Sequence, residues 1–114
     1  MITDKKIDDA MRDFTAQAKN VYGDKLQEVI LFGSCARGDY DDESDVDIMI
    51  LLDVPEENIR QERDRLDPVI WNLDQKYEYD LLFSPIVKSK DSYEYWIQAL
   101  PFYQTVQNEG VRYA

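Results

Sequence analysis

Apolar residues recur at helical spacing through Ile7, Met11, Phe14, Ala18 and Val21, which predicts an amphipathic helix with Thr3 as its cap and Gly23 as its stop. The period then changes. Leu26 to Phe32 (Leu-Gln-Glu-Val-Ile-Leu-Phe) is a β-prone apolar run that stops at Gly33, and it reads as a buried strand. A second strand is predicted over 45–52, with Val46, Ile48, Ile50 and Leu52 on one face and Asp45, Asp47 and Met49 on the other. Pro55-Glu56-Glu57 suits the first turn of a helix capped by Asp53, and Asp67-Pro68 kinks that helix or starts another through Leu73. Tyr77 to Phe83 alternates again: Tyr77, Tyr79, Leu81 and Phe83 share one face and Glu78, Asp80 and Leu82 the other, which predicts a third strand. Ser89 caps a last helix holding Tyr93, Trp96, Ile97 and Leu100, ended or bent by Pro101. With no repeat, linker or low-complexity tract, the expectation is one compact α/β domain over residues 1–114.

Candidate chemistry gathers where the first two predicted strands meet. A Gly33-Ser34 turn lets backbone N–H groups approach a phosphate closely, and the Ser34 hydroxyl adds a donor. A short helix opening at Ala36 would favour the same anion, and Arg37 offers a bidentate contact to phosphate or carboxylate. A dozen residues on, Asp45 and Asp47 project from one strand face, where two carboxylates repel unless a cation or proton lies between them. Magnesium takes such oxygen ligands together with substrate phosphate oxygens. A two-metal site needs a further carboxylate, and Asp80, set among apolar and aromatic residues, is the best candidate ahead of Glu78 and Asp74.

The run Gly33-Ser34-Cys35-Ala36-Arg37-Gly38, the Asp45-Val46-Asp47 pair and the later Asp80 resemble the minimal nucleotidyltransferases of the DNA polymerase beta superfamily, and the ending Pro101-Phe102-Tyr103 with Asn108-Glu109-Gly110-Val111 is similar to the tail of its small members. The resemblance covers nearly the whole chain. It implies a small nucleotidyltransferase fold, a short mixed β-sheet flanked by α-helices. By the same resemblance Gly33 and Ser34 bind the triphosphate, with Arg37 and Ser44 as further nucleotide-binding candidates, and Asp45, Asp47 and Asp80 form the catalytic triad for two Mg2+ ions. A hydroxyl would attack the α-phosphorus of ATP and pyrophosphate would leave, with Asp80 as proton acceptor. The chain has no histidine, which excludes histidine catalysis and histidine metal sites.

Composition then bears on the acceptor. A net charge of −11 and pI near 4.3 argue against a surface that tracks nucleic-acid phosphates. Asp39, Asp41, Asp42, Glu43, Asp45 and Asp47 crowd into nine positions, of which Asp41, Asp42 and Glu43 read as a solvated loop. Cys35 is the sole cysteine and no run nears the roughly 20 apolar residues of a membrane span, so a cytoplasmic protein is expected, with Cys35 a small apolar filler rather than a nucleophile. The late aromatics Tyr93, Tyr95, Trp96, Phe102 and Tyr103 are expected to cover one side of the sheet, with base stacking or partner binding as the other readings.

No helical acceptor domain follows the motif, so the acceptor is expected to be another protein or a cleft completed by a second subunit, as a homo- or hetero-oligomer. Small members of the resembled family are often paired with a helical HEPN-type toxin and act as its antitoxin by moving AMP onto its tyrosine; by that resemblance the same is the leading expectation here. Two alternatives stand beside it: transfer to an aminoglycoside-like small molecule, and a non-catalytic antitoxin that works by binding alone.

Overall fold

The computed structural model describes Met1–Ala114. Helix α1 spans Asp4–Tyr22; the Thr3 hydroxyl accepts from the Lys6 N–H, and Gly23, at φ 57°, closes the other end through its N–H to Lys19 O. Strand β1 (Leu26–Phe32) leads through Gly33 into a four-residue helix α2 (Ser34–Arg37), and β2 (Asp45–Leu52) returns antiparallel to β1. A 3-10 turn at Glu56–Asn58, helix α3 (Ile59–Asp64) and helix α4 (Asp67–Lys76) carry the chain across to β3 (Leu82–Ser89), which pairs parallel with β2. Helices α5 (Lys90–Trp96) and α6 (Pro101–Glu109) follow, and β4 (Val111–Arg112) adds antiparallel to β1. The sheet order is β3-β2-β1-β4, a mixed sheet flanked by helices.

Both faces of the sheet are covered, and strand parity decides which residue goes where. Val29 and Leu31 of β1 and Val46, Ile48, Ile50 and Leu52 of β2 meet Ile7, Met11, Phe14 and Ala18 of α1 and Val69 and Leu73 of α4. The opposite parity, Ile30, Phe32, Met49 and Leu51, packs against Tyr93 of α5 and Tyr103 and Val106 of α6. Burying one such side chain is worth about 1.5–3 kcal/mol, so the central strands are anchored from two sides. A Cβ at Gly110 would lie 2.3 Å from Ile30 Cγ2 and 2.4 Å from Val106 O. Glycine there lets the chain leave α6 and pass directly onto the edge of β1.

Several boundaries differ from the pattern-based expectation. Asp53 is not a helix cap: its N–H bonds to Lys25 O at 2.8 Å beside the sheet, and Pro55 precedes the 3-10 turn. The helix capped by Ser89 ends at Trp96, and Pro101 begins a new helix rather than bending the old one. The largest correction concerns the third strand. Residues 77–80 are a turn, with Glu78 (φ 53°) and Tyr79 (φ 60°) in left-handed conformations. Their N–H groups satisfy the end of α4, through Tyr77 to Leu73 O, Glu78 to Gln75 O and Tyr79 to Asp74 O. The strand begins only at Leu82, and Pro85 fits within it because β3 is an edge strand.

Candidate active site

The Gly-Ser turn and the aspartate pair meet at one end of the sheet. Phe32, the last residue of β1, lies opposite Asp47 in the antiparallel register. Gly33 then turns at φ 76°, where an L side chain is strained, and a Cβ at this position would stand 2.3 Å from Asp47 Oδ2. The space a larger residue would fill is therefore taken by the Asp47 carboxylate. Ala36 and Arg37 donate to Gly33 O, both at 3.1 Å, and Gly38 donates to Ser34 O at 2.9 Å. A helix of four residues has little macrodipole; what the turn offers an anion is the Ser34 hydroxyl and the first N–H groups of α2, which have no partner within the helix. Cys35 is buried behind it, with Sγ 3.4 Å from Asp45 O, so it ties α2 to the start of β2. Burial above all, and then the charges of Asp47 and Asp45, push the Cys35 thiol up against a weaker pull from Ser34, which suits a filler and not a nucleophile.

Asp45 is exposed and Asp47 half-buried, two positions apart on one face of β2. Burial, and then the charge on Asp45, raise the Asp47 carboxyl above the usual range; Arg37 pulls the other way. Neither aspartate is ion-paired with a protein cation: Arg37 spends its guanidinium on Asp39 at 3.2 Å and Glu109 at 3.6 Å. Two hard oxygen donors facing one way, one of them disfavoured as an anion and pressed against a glycine, fit a divalent cation that also takes phosphate oxygens. The pair fits one such ion. No group of three or more acidic, cysteine or histidine side chains is placed to hold a metal.

Asp80 stands apart. It lies in the turn before β3, where its carboxylate accepts from Lys6 Nζ at 2.7 Å and faces the Met1 ammonium at 3.5 Å. Hydrogen bonding from Lys6, then its charge and that of the N-terminus, hold this carboxyl below the usual range. The parallel register sets Leu82 beside Asp45 and Ser84 beside Asp47, so Asp80 is two residues short of the strand that runs alongside the pair. Ser44 is also occupied: its hydroxyl donates to Asp41 Oδ1 and accepts from the Asp41 N–H, shaping the turn that enters β2. Asp41, Asp42 and Glu43 are exposed, as expected.

Two neighbours of the aspartate pair, Ser84 and Glu109, carry no local signal in the sequence. Ser84 was hidden by Pro85, which breaks the look of a strand. Glu109 sits on the last turn of α6 and meets Arg37, a pairing across 72 positions that no local pattern signals. Phe102, half-exposed, packs edge-on against Phe32 with ring centroids 5.6 Å apart. The three surface concavities of the molecule, about 250–300 Å³ each, are lined by neither Asp45 nor Asp47. The aspartate pair lies instead on an open rim.

Known proteins resemble this chain over most of its length. Two relatives from Methanocaldococcus jannaschii carry the provisional name of protein adenylyltransferase. MJ0141 is 39% identical over 106 residues, 93% of this chain and 97% of the relative, and MJ1305 is 33% identical over 85 residues, 74% of this chain and 56% of the relative. A solved structure described as a mutant of the toxin–antitoxin MntA–HpeT aligns at TM-score 0.47 and 18% identity, over 89% of this chain and 70% of that one; at that level the likeness bears on neither fold nor partner. The model of the nucleotidyltransferase domain matches residues 16–103, a span that holds Gly33, Ser34, both rim aspartates and Asp80, and the chain accordingly belongs to the nucleotidyltransferase family of enzymes.

Proposed function

We propose that this protein transfers AMP from ATP to a hydroxyl of a partner protein, the leading acceptor being a tyrosine of a HEPN-type toxin that it thereby neutralises. The observation that carries the donor half is the Asp47 carboxylate packed over Gly33, with Asp45 on the same face and the Ser34 turn alongside. The protein acceptor is supported by the names of the relatives and the toxin by the family resemblance.

The chain's own groups divide the work. Ser34 and the first N–H groups of α2 hold the β- and γ-phosphates, and Gly33 lets them come within hydrogen-bond range of the backbone. Mg2+ held by Asp45 and Asp47 would supply the charge neutralisation that an α-phosphorus under attack and a departing pyrophosphate require. The acceptor hydroxyl attacks the α-phosphorus, pyrophosphate leaves, and the hydroxyl proton passes to Asp80. For that, Asp80 leaves Lys6 and continues β3 in the register already set by Leu82 beside Asp45. The same movement would complete the carboxylate set for a second ion. Arg37, released from Asp39 and Glu109, is placed to meet a phosphate.

The test is label transfer. With α-labelled ATP, Mg2+ and a HEPN-type toxin, the expected result is AMP on toxin tyrosine, one pyrophosphate released per transfer, and neither with Asp47→Asn. If no label reaches the toxin and Asp47→Asn neutralises it as well as the wild type does, the catalytic reading is overturned.

A further inference from the structure

The late aromatics divide sharply once the fold is known. Tyr93 and Tyr103 are buried against the sheet, while Tyr95, Trp96 and Phe102 remain 74%, 47% and 46% exposed. Tyr95 and Trp96 pack on each other at the end of α5. Phe102 alone of the three is joined to the aspartate rim. Its ring meets that of Phe32 nearly perpendicularly, at 79°, and Phe32 lies directly opposite Asp47. Helix α6 also lies on the correct face: Tyr103 and Val106 pack on Met49 and Leu51, which share the parity of Asp45 and Asp47. Opposed side chains on adjacent strands stand about 5 Å apart, which puts the Phe102 ring on the order of 10 Å from Asp47. A ribose spans such a gap between a phosphate and its base.

We propose that Phe102 is the base-stacking platform of the nucleotide site, taking the purine of the triphosphate whose phosphates lie at Ser34 and the aspartate pair. The inference rests on the nucleotide-binding reading above and adds where the base goes. Phe32 and Tyr103 brace the ring from the protein side, so little freedom is lost when a base covers its open part. A half-exposed phenyl gains by being covered, and stacking on it is tolerant of base identity, because every base has a π-face. Helix α6 then spans the rim, with Phe102 on its first turn at the base and Glu109 on its last turn beside Arg37. The site would prefer purines over pyrimidines and discriminate weakly between ATP and GTP.

Two ligands separate this inference from the reading beneath it. Mg-ATP carries a base and Mg-tripolyphosphate does not, and calorimetry measures the affinity of each for the intact protein. Phe102→Ala is expected to weaken ATP roughly 10-fold while leaving tripolyphosphate within a factor of about two, and Phe102→Tyr to restore ATP. Unchanged ATP affinity in Phe102→Ala overturns the platform. So does an equal loss for both ligands, which would mark Phe102 as a packing residue of the rim. A wild-type protein that binds neither ligand sinks the nucleotide-binding reading itself, and the platform with it.

Discussion

At Asp47 the chain keeps a carboxylate where burial and Asp45 both work against its charge, and only Arg37 offsets them. With the folded-state pKa above the unfolded one, the stability tied to the protonated form is fully present below the ordinary carboxyl range and is lost as pH rises through the raised value. At neutral pH the ionised group therefore weakens the fold, as expected where a site is built for a cation that stabilises it only when bound. Asp47→Asn keeps the shape against Gly33 and removes the charge. In metal-free buffer at pH 7 it should melt higher than wild type, by a few °C for a domain of this size. Millimolar Mg2+ should then raise the melting temperature of the wild type and not of the variant. A variant that melts lower without metal, or that responds to Mg2+ equally, would remove Asp47 from the cation site.

The elements show how far local pattern reaches. Helix α1, β1 and β2 are legible because periodicity, caps and turn glycine agree: Thr3 accepts from Lys6, Gly23 takes a positive φ, and the apolar run stops at Gly33. The meeting of Gly33 and Ser34 with Asp45 and Asp47 is legible for the same reason, since the first two directly follow β1 and the other two begin β2. The third strand misleads because Tyr77 to Phe83 alternates like a strand while its first four residues are spent closing α4. Pro85 conceals the true strand, and the edge position that tolerates it is a property of the sheet, invisible locally. The contacts of α6 with Phe32 and Arg37 are equally non-local. Asp80 is where this matters for chemistry. Asp80→Asn should slow single-turnover AMP transfer by about 10²–10⁴-fold, the range for a lost general base, with Mg-ATP affinity nearly unchanged. Lys6→Met, which frees the carboxylate, should keep the rate at or above that of wild type. Full activity in Asp80→Asn, or a collapse in Lys6→Met matching it, would assign the proton elsewhere.

Across the whole molecule, a net charge of −11 on 114 residues means that every further ionisation to an anion is resisted, and two tyrosines sit where that resistance is read as stability. The Tyr22 hydroxyl donates to Glu62 O and joins α1 to α3. Tyr113, beyond β4, donates to Asp8 Oδ1 at 2.9 Å and binds the end of the chain back to its first helix. Burial leads in pushing both up to about 12 from an ordinary 10.0; the Glu62 charge adds to it at Tyr22, and the hydrogen bond to Asp8 adds to it at Tyr113. Because the folded pKa exceeds the unfolded one, the stability each contributes is complete below pH 10 and is lost as pH climbs towards 12. With solvent screening allowed for, the loss is on the order of 1–2 kcal/mol per tyrosine. Melting temperature should therefore fall across that alkaline window. Tyr113→Phe, which has no proton to lose, should start lower at pH 8, because its hydrogen bond is gone, and fall less steeply towards pH 12. If the wild type and Tyr113→Phe lose stability in parallel from pH 10 to 12, the link between the chain's end and its first helix does not carry this pH dependence, and the decline belongs to Tyr22 and the other groups that titrate in that window.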